Sequence, residues 1–159
     1  MLLAAGCGAT RTVVRTVTVT PDAASAVRWY GHVVSIEKSG DGYLVRYDPA
    51  WLLSGLTANV QQAVDQGQTC DPVACPPVAN DNLVDDESHA TITFRLPAST
   101  RGTVLTSGGN LKGTPVSADQ LAAIVNGTSA TKLFEPLDSG VWLTVHIDTV
   151  TAFQQQYRP

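Results

Sequence analysis

Apolar and polar positions alternate with a period of two over several stretches of the chain and follow a helical period over others. Across Ala26–Lys38, Val27, Trp29 and Val33 fall on one face of a strand, and Tyr30, Val34 and Ile36 on the other. Apolar residues on both faces fit a curled strand in a small barrel, with Gly31 as the expected bend or bulge. Ser39-Gly40-Asp41-Gly42 has turn chemistry. Tyr43–Asp48 then returns, with Tyr43, Val45 and Tyr47 alternating against Leu44 and Arg46, which predicts a hairpin. Pro49 is expected to stop the returning strand. After Trp51-Leu52-Leu53, the spacing of Leu56, Val60 and Val64 predicts one or two short helices up to Gln66, ended by Gly67.

Residues 68–87 read as a long loop. They hold two cysteines, Pro76-Pro77 and a polar run from Asn80-Asp81-Asn82 to Asp85-Asp86-Glu87. Ala90–Leu96 alternates Ile92, Phe94 and Leu96 against Thr91, Thr93 and Arg95, a third strand. Thr103–Thr106 reads as its partner or continuation. Ser107–Asn110 and Gly113 form a flexible turn. Ser117-Ala118-Asp119-Gln120 is a capping box opening a helix with Leu121, Ile124 and Val125 on one face, closed by Asn126-Gly127. Val141–Ile147 and Val150–Tyr157 predict a second hairpin, turning near Asp148-Thr149.

Without the helical insertion, this order over residues 26–157 resembles the oligonucleotide/oligosaccharide-binding (OB) barrel: a long bent first strand, three strands, a helix, two strands. The expected fold is therefore mainly β: a five- to six-stranded OB-like barrel with one capping helix and a helical insertion after the first hairpin. An unrelated small barrel or an α+β sheet is the rival. The expected organisation is a start and tether over 1–25 and one barrel domain over 26–159, with the insertion at 49–87.

Composition narrows the class. A chain of 159 residues is one domain's worth. Its 43% hydrophobic and only 15% charged residues, against a usual charged share of about 25%, argue against disorder. Lys and Arg number 10 and Asp and Glu 14, a net charge of −4. A general nucleic-acid binder would normally show a basic face, which this acidic balance disfavours, so no nucleic acid is expected as partner. No run of 18 apolar residues occurs.

The first residues, Met1-Leu2-Leu3-Ala4-Ala5-Gly6-Cys7-Gly8, resemble the tail of a bacterial lipoprotein signal. The resemblance implies cleavage before Cys7 and lipidation of that cysteine. No charged start precedes the apolar stretch, and Ala4 stands where the lipobox leucine is usual, so the true start is expected upstream of Met1. Ala9–Ser25 reads as a tether, with the alternation of Thr16–Thr20 offering an edge strand as the rival. If Cys7 carries lipid, Cys70 and Cys75 are the remaining pair, and a structural disulfide is expected in an oxidising compartment. Free thiols are the alternative. A redox motif would need Cys-x-x-Cys, and a zinc site two further ligands, so no metal is assigned. The location expected is extracytoplasmic, as a membrane-anchored lipoprotein or a secreted protein.

Tyr47-Asp48-Pro49-Ala50-Trp51-Leu52-Leu53-Ser54-Gly55, Asn80-Asp81-Asn82 and Gln156-Tyr157-Arg158-Pro159 resemble an uncharacterised family of secreted actinobacterial proteins. That likeness bears on location and fold rather than on activity.

Catalytic signals are sparse. There is no Gly-x-Ser-x-Gly elbow and no phosphate-cradling loop followed by lysine, and no cofactor is expected. His32, His89 and His146 are scattered; joined with Asp48 or Asp148, His32 and His146 are the nearest approach to a hydrolase or metal-dependent site. The acidic run at 80–87 offers oxygen ligands without the spacing of a calcium loop. Trp29, Tyr30, Tyr43 and Tyr47 with Arg28 and Arg46 form either core pairs or an exposed face. The preferred expectation is a non-enzymatic binding or accessory module of the cell envelope. Its binding residues would be Trp51, Asp81, Asn82 and Trp142, and its partner an envelope protein or a cell-wall glycan. Contact with the membrane would be through a lipid anchor alone.

Overall fold

A computed structural model describes residues 25–86, 90–108 and 110–158. The expected lipidation at Cys7 and the tether up to Ala24 lie outside them, as does His89. The strands are β1 (Val27–Ser39), β2 (Gly42–Ser54), β3 (Asn82–Asp85), β4 (Ile92–Pro97), β5 (Arg101–Val104), β6 (Thr114–Ser117), β7 (Val141–His146) and β8 (Thr149–Gln155). The helices are α1 (Gly55–Asp65) and α2 (Ala118–Val125).

Five of the strands close a barrel. β1 pairs antiparallel with β2 and β7, β2 with β4, and β7 with β8. The ring closes where β4 and β8 run parallel at Arg95 and Thr149, with the Arg95 amide donating to the Asp148 carbonyl at 2.8 Å. The circular order β1-β2-β4-β8-β7, with α2 placed before β7, is that of a small OB-like barrel.

Ile36, Val45, Tyr47, Phe94, Leu96, Leu143, Val150 and Phe153 fill the barrel, and α2 packs Ala118, Leu121 and Ala122 into the same core. The capping box of α2 is present: the Gln120 amide donates to Ser117 Oγ at 3.2 Å, and the Ser117 amide to Gln120 Oε1 at 2.8 Å. Asn126, at the other end of the helix, donates from Nδ2 to the Ile36 carbonyl and so ties α2 to β1.

The bend in β1 is not where glycine predicted it. The β1–β2 register slips between Val33 and Ser35, so the extra residue is Val34, which is exposed. One inserted residue exchanges the faces of a strand. Before the bulge Trp29 and Val33 pack on the core; after it Ile36 does. This is why Ile36 reaches the core from the other parity of β1; Tyr30, of that parity but ahead of the bulge, is buried against Trp142 on the opposite face. Gly31 serves another purpose. It sits opposite Pro49, and a Cβ there would lie 2.1 Å from the Asp48 carbonyl oxygen.

Pro49 does not end β2, which runs on to Ser54. The β2–β4 ladder stops at Tyr47, so beyond that residue one edge of β2 has no neighbour in β4 to need an amide donor. The helical part of the insertion begins at Gly55. The insertion holds one helix, a short 3-10 turn and β3, the last of these lying within what reads as loop. α1 also turns a different face inward from the expected Leu56–Val60–Val64 stripe. Ala58, Asn59 and Ala63 are buried while Leu56 and Val64 are exposed. Asn59 Oδ1 accepts from the Val78 amide at 2.9 Å, holding the following loop against the helix. That loop is closed by a disulfide between Cys70 and Cys75, whose Cα atoms are 5.3 Å apart. β5 likewise departs from expectation. It pairs with β6 and, in parallel, with β8, rather than with the third barrel strand β4.

Candidate functional site

The β1–β2 ladder ends at the pair Tyr30–Ala50. Beyond it the strands separate: Val27–Trp29 of β1 continue against Val145–Leu143 of β7, and Trp51–Ser54 of β2 continue against β3. A groove of about 660 Å³ opens at the split. One wall is Val27–Tyr30 together with Trp142 of β7; the other is Pro49–Leu52 of β2 together with Asp85 of β3. The lining is mainly apolar, with Arg28 and Asp85 as its charged side chains.

Trp51 stands at the rim with 72% of its surface exposed. Trp142 is held from two sides. The Arg28 guanidinium lies 4.7 Å above its ring, and its Nε1 donates to Gln156 Oε1 at 2.8 Å. Tyr30 is buried, packs at a tilt against Trp142, and donates its hydroxyl to the Ser139 carbonyl at 2.9 Å. Burial raises the Tyr30 pKa above the ordinary tyrosine value; nearby Arg158 works against that shift and Asp86 adds to it. Gly140 makes room for this hydroxyl, since a Cβ there would fall 2.3 Å from it.

Two of the four residues expected to bind are brought together here: Trp51 and Trp142 both line the groove. Asp81 and Asn82 do not. Asp81 closes the 3-10 turn with φ 56°, and Asn82 opens β3 opposite Ser54, its side chain donating to the Asn80 carbonyl. Asp85 takes their place in the lining, and no sequence signal singled it out from the neighbouring acids.

Among the described residues, His32 and His146 are not brought together. His32 is the ladder partner of Asp48, and its Nε2 lies 3.7 Å from Asp86 Oδ2. His146 stands at the far end of β7, five residues beyond the Gly31–Val141 pair, or about 17 Å of extended strand. General acid–base partners must come within hydrogen-bond reach, so His146 does not share a site with His32 and Asp48. Among the described residues no three His, Cys, Asp or Glu side chains converge as metal ligands. No helix among them is long and apolar enough to cross a membrane.

Comparison with protein-family models, curated proteins and solved structures gives no match to this chain.

Proposed function

We infer that this protein is a non-enzymatic binding module of the bacterial cell envelope, with the groove between β1 and β2 as its recognition surface. The observation that carries the reading is the groove itself: an open, apolar cleft with Trp51 exposed at its rim and Trp142 fixed in its wall. A large exposed indole beside an apolar cleft is the usual composition of a recognition site. The Cys70–Cys75 bond is compatible with an oxidising compartment. The lipoprotein-like start at Cys7 and the likeness to secreted actinobacterial proteins support the same location, with anchoring through lipid on Cys7. Partners of the class expected are an envelope protein or a cell-wall glycan.

Two measurements on the full chain in its native host test the reading. The first is intact mass, without reduction, from membrane, culture and cytosolic fractions. The second places a photo-crosslinking amino acid at position 51. The reading expects a chain starting at an acylated Cys7 with the Cys70–Cys75 bond intact, and an ultraviolet-dependent adduct with one envelope component. An unprocessed cytosolic chain with free thiols, or no adduct from any fraction, overturns it.

A further inference from the structure

We propose that the groove takes an extended polypeptide segment, which adds as a strand to the free edge of β1 at Val27–Trp29; this rests on the groove being the recognition surface. In the barrel every strand edge needs a partner, and β1 has two: β7 on one side and β2 on the other. At Val27–Trp29 the β7 partner continues while the β2 partner has turned away. Among the described residues that edge has no ladder partner, and the groove lies where one would run. Alternate residues of this stretch turn their backbone groups to that edge, and the Trp29 carbonyl already accepts from the Tyr47 hydroxyl at 3.0 Å; the remaining backbone groups without a ladder neighbour are a template for another chain. They match the repeat of a polypeptide backbone, about 3.3 Å per residue in a strand about 4.8 Å away.

The walls select the occupant further. Side chains of an added strand alternate between its two faces, and apolar ones would meet the indoles of Trp29 and Trp51. The charges are complementary to a mixed segment: Arg28 on the β1 wall favours an acidic residue, and Asp85 on the opposite wall a basic one. A glycan would need a fuller set of polar side chains. The Arg28 guanidinium, stacked on Trp142 and 3.4 Å from Gln154 Oε1, keeps its positive charge at the groove wall, where it attracts an acidic side chain.

The test selects binders to the full chain from a displayed library of random decapeptides, then measures synthetic copies of the enriched sequence by fluorescence anisotropy. Backbone N-methyl groups are placed on alternate residues in two complementary sets. One-edge strand addition predicts that one set weakens binding at least about tenfold and that the other leaves it unchanged. Trp51→Ala weakens binding by a similar factor, and Arg28→Glu exchanges the preferred acidic residue for a basic one. Amide exchange in the chain alone reports on the edge: at least one amide of Val27–Trp29 exchanges freely until peptide is added. Failure to enrich any peptide, or equal tolerance of both N-methyl sets, overturns the proposal. So does an edge already protected in the free chain. Protection independent of concentration identifies the chain's own preceding residues as occupant, and protection that grows with concentration identifies a second copy. Binding of chitohexaose or cellohexaose to the groove without any peptide leaves the recognition reading standing and removes the strand. Loss of peptide, oligosaccharide and the position-51 adduct together removes both.

Discussion

Tyr30 and Trp142 face each other across the β1–β7 ladder with ring centroids 5.1 Å apart and planes inclined by 57°. Arg28, two residues earlier on the same face of β1, covers the same indole. An inclined aromatic pair contributes about 0.5–1.5 kcal/mol beyond the area it buries. A double-mutant cycle with Tyr30→Leu and Trp142→Leu, read by urea denaturation, is expected to give a coupling energy in that range. Additive losses would show that the two rings stabilise independently. Trp142→Phe should cost less than Trp142→Leu, since it keeps a ring against Tyr30 and loses the bond to Gln156.

Gly31 and Pro49 are matched by contact rather than by flexibility. A methyl group at position 31 meets the Asp48 carbonyl and, at 2.8 Å, the Pro49 Cα, both backbone atoms of the partner strand. The backbone has no rotamer with which to yield. Gly31→Ala is therefore expected to destabilise the fold by about 1–3 kcal/mol or more. It should also disturb the groove, because the ladder end at Tyr30–Ala50 lies one residue away. A denaturation midpoint unchanged from wild type would contradict this account.

Local sequence marked the two hairpins, the capping box at Ser117 and the cysteine pair, because each is specified by neighbouring residues. What it did not mark depends on distant partners. β2 continues past Pro49 because β4 has stopped at Tyr47, and four-residue β3 exists because Trp51–Ser54 needed a neighbour. The bulge at Val34 follows from the β1–β2 register, which glycine did not signal. The site divides the same way. Trp51 and Trp142 stand out by residue type alone. Arg28 and Asp85 acquire their place from the parting of β1 and β2, while Asp81 and Asn82 are taken up by a turn and a strand start.

The disulfide acts on the insertion and not on the barrel. It closes a loop of about six residues, for which the chain-entropy model gives about 2 kcal/mol. The loop it pins leads through Val78, held by Asn59 of α1, to β3 beside the groove. Reduction, or a Cys70→Ala/Cys75→Ala double variant, is expected to speed amide exchange in α1, the 68–81 segment and β3. Protection in β7 and β8 should persist. Uniform loss of protection across the barrel would show that the staple supports the fold as a whole.

Tyr47 gives the barrel an alkaline limit. It is fully buried, and its hydroxyl donates to the Val141 carbonyl at 2.6 Å with the Trp29 carbonyl at 3.0 Å. Burial, with a smaller contribution from Tyr30, pushes its pKa far above the ordinary tyrosine value of 10.0. The unfolded chain ionises this tyrosine near pH 10 while the folded chain keeps it neutral, so above that pH the folded state holds the extra proton. Its contribution is complete below pH 10 and is lost as pH rises, by about 1.4 kcal/mol per pH unit. Tyr30, also raised by burial, adds to the same decline. Tyr47→Phe removes one titrating group and one hydrogen bond. It is expected to cost about 1–2 kcal/mol at neutral pH and to make the fall in stability above pH 10 shallower, so that the gap to wild type narrows. Urea denaturation of both proteins from pH 7 to about 11.5 measures the two curves. Curves that stay parallel above pH 10 would mean that Tyr47 does not set this limit.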